Sequence, residues 1–153
     1  MSKRAPTLLV IEDAHDHAIL VGVAARRAHP GLDVRIVHEG LEGIAYLAGD
    51  SPFEDRDAHP TPNLVILDLM MPGVDGFDVL THIGANLSPA PYPVVVLTAS
   101  EDPDDEARAR ELGAVDVRVK PTDLESLGRV VREIVHEHIG RGKIIAAHIW
   151  ESG

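Results

Sequence analysis

LVILDLMMPGVDG, residues 64–76, decides how the chain folds. Leu64 to Leu67 is an unbroken apolar run, closed by Asp68 and then by a segment carrying a proline and two glycines. Such a run, bounded by turn-forming residues, is strand-length, and its lack of alternation marks a strand covered on both faces. Two further runs share this form: Leu8 to Ile11, ending in Glu12 and Asp13, and Val94 to Leu97, ending in Thr98. Two others alternate. Val34 and Ile36 are interleaved with Asp33 and Arg35, while Val115, Val117 and Val119 are interleaved with Asp116 and Arg118 and lead to Lys120. Three central strands flanked by two edge strands are expected.

Helical patterns separate these runs. Leu124, Leu127, Val130, Val131, Ile134 and Val135 put one apolar stripe on a helix packed against a sheet. The chain therefore reads β then α, five times, which predicts a parallel sheet with right-handed crossovers and helices on both faces. With the continuous runs inside and the alternating ones at the margins, the strand order is 2-1-3-4-5, a flavodoxin-like α/β fold. Asp102 followed by Pro103, Asp104, Asp105 and Glu106 reads as an N-cap, a first-turn proline and acids facing the helix dipole. Asp16 is expected to cap the first helix. The stretch GDSPFEDRDAHPTP, residues 49–62, is rich in breakers and charge and reads as a long exposed loop.

A chain of 153 residues suits one domain. Acids outnumber bases 25 to 14, and the net charge of −11 opposes sequence-independent binding to nucleic acid or to an anionic membrane. There is no cysteine, hence neither a disulfide nor a thiolate metal site. The opening MSKRAPTLLVIED has an apolar run too brief for a signal peptide or a membrane span, so a cytoplasmic protein is expected. Residues 1–139 read as the domain. The extension 140–153, GRGKIIAAHIWESG, starts with helix-breaking glycines and carries Ile144, Ile145, Ile149 and Trp150, as either a tail or an arm that holds a second subunit.

In an open parallel sheet the carboxyl ends of the strands lie along one edge, and ligands bind where the strand order reverses. Glu12, Asp13, Asp68, Thr98 and Lys120 all stand at such ends. Carboxylates forced together repel unless a cation joins them, and an oxygen-lined, partly hydrated pocket suits Mg²⁺. An Asp carboxylate can take a phosphoryl group once the developing anion is neutralised, and Asp13, Thr98 and Lys120 supply those parts.

IED at 11–13, LDLMMPGVDG at 67–76, LTAS at 97–100 and VKP at 119–121 fall in order at the ends of successive strands. Together they resemble the receivers of bacterial two-component response regulators over roughly residues 7–139. The resemblance implies that a sensor histidine kinase phosphorylates Asp68. It further implies that Asp13, Asp68 and the backbone carbonyl of Met70 bind Mg²⁺, that Glu12 acts through a bound water, and that Thr98 and Lys120 contact the phosphoryl oxygens. It implies a cis bond between Lys120 and Pro121. At the position where the family often carries a switch aromatic, this chain has Val117, and Thr122 replaces a frequent aromatic after the proline. The IEDAHDH start and the long loop before the third strand are also similar to single-domain receivers paired with phytochrome kinases, some of which dimerise through C-terminal segments. A homodimer through the last helix and the extension is the corresponding expectation.

Two other functions fit parts of this pattern. A phosphatase of haloacid dehalogenase type also uses a strand-end Asp with Thr, Lys and Mg²⁺, but it needs an acid two residues on, where Met70 stands. A binding module that never becomes phosphorylated would have no use for the full acidic set. Nine histidines, His15 and His17 near the acids among them, show no zinc-type spacing, and His136 and His138 read as surface residues at a helix end.

Overall fold

The computed structural model describes residues 4–141. Ten elements alternate in it: β1 (Thr7–Ile11), α1 (His15–Ala28), β2 (Asp33–Val37), α2 (Gly40–Ala48), β3 (Leu64–Leu67), α3 (Gly76–Asn86), β4 (Val94–Thr98), α4 (Pro103–Glu111), β5 (Asp116–Val119) and α5 (Leu124–His138). The five strands are parallel in the order β2-β1-β3-β4-β5, as the apolar runs predict.

Alternation within the strands explains how one sheet serves two cores. Leu9, Ile11, Val65, Leu67 and Val96 face α2 and α3, where they meet Tyr46, Leu47, Phe77 and Leu80. Leu8, Val10, Leu64, Ile66 and Val95 face α1 and α5, against Val21, Ala25, Val131 and Ile134. Each large side chain so buried contributes about 1.5–3 kcal/mol relative to exposure, offset by lost chain entropy. No helix among the described residues is long and apolar enough to cross a membrane.

Several local expectations change. Of the three alternating valines only Val117 is buried, because the short, polar α4 covers the middle of β5, while Val115 and Val119 project past it and are exposed. The α5 stripe likewise begins at Leu127, and Leu124 is exposed. Asp102 does cap α4 by accepting from the Asp104 amide at 2.9 Å. Asp16 does not cap α1: the helix starts earlier, with Ala14 as its N-cap, so Asp16 lies in the first turn and accepts from the His17 amide. His136 is half-buried rather than free on the surface, its Nε2 donating to the Ala28 carbonyl at 3.0 Å, and His138 is also half-buried. Gly140 ends the last helix with a φ of +102°. The remainder of the extension lies outside the described residues.

The loop at 49–62 is not simply exposed. Phe53, Pro60 and Pro62 are buried, with Phe53 tilted against Tyr46 at 4.9 Å. The Tyr46 hydroxyl donates to the Pro60 carbonyl at 2.9 Å. Arg56 donates to the Leu47 and His59 carbonyls, and Arg35 to that of Ala58. Pinned backbone groups of this kind let a charged, proline-rich segment pack without a strand or helix of its own.

Candidate functional site

The sheet register carries the site. Ile11 pairs with Leu67, so the residues that follow them, Glu12 and Asp68, emerge side by side. The ladder runs on past the strand ends: the Asp68 amide donates to the Ile11 carbonyl at 3.1 Å, and the Lys120 amide to the Thr98 carbonyl at 2.7 Å. Residues 108 positions apart thereby meet, with Lys120 Nζ 2.5 Å from Glu12 Oε1. The same ammonium is 3.4 Å from Asp68 Oδ2. Asp13 completes the group, one carboxylate oxygen from each of Glu12, Asp13 and Asp68 lying within 4.8 Å of one another. Thr98 ends β4 and is only 1% exposed.

Glu12 and Asp68 are also almost fully buried. Burial pushes the Glu12 carboxyl up to about 7; its contact with Asp68 adds to that rise, and Lys120 opposes it. One ammonium thus leaves the acids short of positive charge. A crowded, hard-oxygen donor set of this composition fits a divalent cation such as Mg²⁺.

Local structure holds Asp68 in place. The Met70 amide donates to Asp68 Oδ1 at 3.1 Å, which fixes the carboxylate and brings the Met70 peptide beside it. The Gly76 amide then returns to the Leu69 carbonyl at 3.0 Å. A Cβ on Gly76 would strike the Asp68 carbonyl oxygen and come within 2.6 Å of the Leu69 Cα, so only glycine permits this closure. Asp75 and Asp78 form a reciprocal capping box that anchors the far end of the loop on α3.

Thr98 Oγ1 accepts from the Ser100 amide at 3.2 Å, and the Ser100 hydroxyl donates to Asp105 in the first turn of α4 at 2.6 Å. The expected cis bond at Lys120–Pro121 is absent: among the described residues cis bonds occur at Ser51–Pro52 and Ser88–Pro89. Lys120 reaches the acids regardless, because the β4–β5 pairing delivers its backbone to the pocket rim. Val117, in the switch-aromatic position, is packed in the core.

Two histidines belong to the site, His17, which the sequence places near the acids, and His38, which it does not. His17 Nδ1 lies 3.3 Å from Lys120 Nζ, a third neighbour of the ammonium beside Glu12 and Asp68. His38 Nδ1 donates to the Glu12 carbonyl at 3.1 Å, and its ring stacks on His15 at 3.8 Å. His38 directly follows β2, so the strand-end rule that selects Asp68 selects it too. His17 carries a weaker signal, one helical turn beyond Asp13.

Residues 8–132 match the response regulator receiver domain family. The probable methanogenesis regulatory protein FilR2 of Methanothrix harundinacea is 32% identical over 87% of this chain and 83% of its own length. Response regulator Rcp1 of Synechocystis is 32% identical over 83% of this chain and 84% of its own. Among solved structures, the phosphorylated cyanobacterial phytochrome response regulator RcpA superposes with a TM-score of 0.81 at 27% identity, covering 88% of this chain and 94% of that one. The Mn²⁺-bound form of Rcp1 gives 0.77 at 31% identity, over 86% and 92%. Strand order, strand-end chemistry and sequence likeness over most of the length agree, and the chain belongs to the response regulator receiver domain family.

Proposed function

We propose that Asp68 is the phosphoacceptor and that a sensor histidine kinase is its donor. The observation that carries this reading is the Lys120 ammonium lying on Glu12 and Asp68 together, which ties three strand ends into one pocket. In the transfer, an Asp68 carboxylate oxygen forms a bond to phosphorus as the bond from phosphorus to the donor imidazole nitrogen breaks. Lys120 offsets charge on the phosphoryl oxygens, and the Thr98 hydroxyl donates to one of them. Glu12, Asp13, Asp68 and the Met70 carbonyl would hold Mg²⁺, which when bound neutralises charge that otherwise repels the incoming group. The donor set fits that ion because it is all oxygen.

The likeness to RcpA and Rcp1 supports a phytochrome kinase as the partner. Phosphorylation acts by shifting a surface equilibrium and so changing association, in the cytoplasm, with a partner or with a second copy through α5 and residues 140–153. Family membership leaves the phosphatase reading without support, and the buried acidic set gives a module that is never phosphorylated no account of its composition.

Intact mass after incubation with acetyl phosphate and Mg²⁺ tests the assignment: one phosphoryl group is gained by the wild type and none by Asp68→Asn. Equal labelling of the two would remove Asp68 from the role. A chain ended after Ile139 that scatters light as the full protein does would discard the arm.

A further inference from the structure

Most guanidinium groups of this protein are engaged. Arg35 pairs with Asp33, Arg110 with Glu106 and Asp116, and Arg118 with Glu133. Arg56 is spent on loop carbonyls, and Arg108 sits over the Phe77 ring at 4.1 Å. Five others, Arg26, Arg27, Arg129, Arg132 and Arg141, form no ion pair or hydrogen bond with another described residue, and of these Arg27 of α1 and Arg129 and Arg132 of α5 line one cavity of about 360 Å³ between the two helices. Glu125 is the acid in that lining, leaving three positive groups against one negative in a chain whose net charge is −11.

A second cavity of about 260 Å³ shares Ala24, Arg27, Leu124, Glu125 and Gly128 with the first and extends it toward Leu20 and Val23. Arg129 and Arg132 thus mark one end of the cleft and Leu20 and Val23 the other, with Arg27 and Glu125 on the stretch between them. Gly128 lines both. A Cβ there would meet nothing within 4 Å, so neither close packing nor an unusual backbone angle calls for glycine in the interior of α5. Glycine weakens a helix, and the space it leaves belongs to the cleft.

We propose that the α1–α5 cleft binds a nucleoside polyphosphate, its phosphates on Arg27, Arg129 and Arg132 and its base against Leu20, Val23 and Leu124. Planar guanidinium forks bind phosphate oxygens two at a time, and three converging on one cavity suit charge concentrated on adjacent phosphates. An acidic protein segment spaces its carboxylates along a backbone and fits an open groove better than a cavity. The volume is in the range of small-molecule sites. The cleft lies between helices flanking the sheet and shares no lining residue with the acidic pocket, and the proposal stands independently of phosphoryl transfer.

The test is isothermal titration of the full chain with ATP, and separately with inorganic triphosphate, in EDTA. ATP is expected to bind one to one, more tightly than triphosphate. Affinity should fall about tenfold or more both in Arg129→Gln/Arg132→Gln and in Gly128→Leu, which fills the cleft without touching charge, and should be unchanged in Asp68→Asn. Silence toward millimolar ATP, as an acidic protein occupant would give, overturns the proposal. Equal binding by the arginine or glycine variants overturns it as well, and equal affinity for ATP and triphosphate removes the base from the aliphatic end.

Discussion

Replacing Glu12 by Gln should remove a loss of stability that the metal-free protein undergoes as pH rises. The Glu12 carboxyl moves from an ordinary 4.5 to about 7 on folding, driven first by burial. At about 1.4 kcal/mol per tenfold in proton affinity, the folded protein prefers the protonated carboxyl by about 3 kcal/mol. Between those two values the folded chain therefore binds more protons than the unfolded one. Stability contributed by this group is full below pH 4.5, declines as pH rises, and is gone above about 7. Urea unfolding in EDTA across this range should show the wild type losing about 3 kcal/mol relative to Glu12→Gln, whose amide still accepts from Lys120 and does not ionise. Added Mg²⁺ should abolish the wild-type decline and release a proton on binding below pH 7. Parallel stability curves for the two proteins would refute the reasoning, since Glu12 would then carry no penalty for ionising.

Gly76→Ala should cost about 1–3 kcal/mol in urea unfolding and also block labelling by acetyl phosphate, because the new methyl presses on the peptide of the acceptor itself. Tyr46→Phe should cost about 1–3 kcal/mol by stranding the buried Pro60 carbonyl, with labelling of Asp68 unchanged and faster proteolysis within residues 49–62.

The strand ends were legible because parallel pairing makes position along a strand predictive of position in space. Once Leu64 to Leu67 and Leu8 to Ile11 are read as neighbours, Asp68 and Glu12 must emerge together. What stayed hidden depends on side chains crossing between elements. Nothing in a breaker-rich stretch announces that Tyr46 and Arg56 will satisfy its carbonyls. Likewise, the partner of His17 sits 103 residues away. Asp16 misled because capping preference fixes a residue type, while the first turn is set by where β1 releases the chain. Leu124 departs from the stripe that periodicity assigns it to, since as the first residue of α5 it stays exposed.

The Ser100 tether gives the pocket a second exit. If the Thr98 hydroxyl turns to a phosphoryl group it gives up the Ser100 amide, and Ser100 is tied in turn to Asp105 on α4. With a small aliphatic side chain at 117 locked in the core, no ring on β5 is available to swing. News of the modification would then leave by an exchange of hydrogen-bond partners at the start of one short polar helix, so its audience should be whatever reads that helix's orientation.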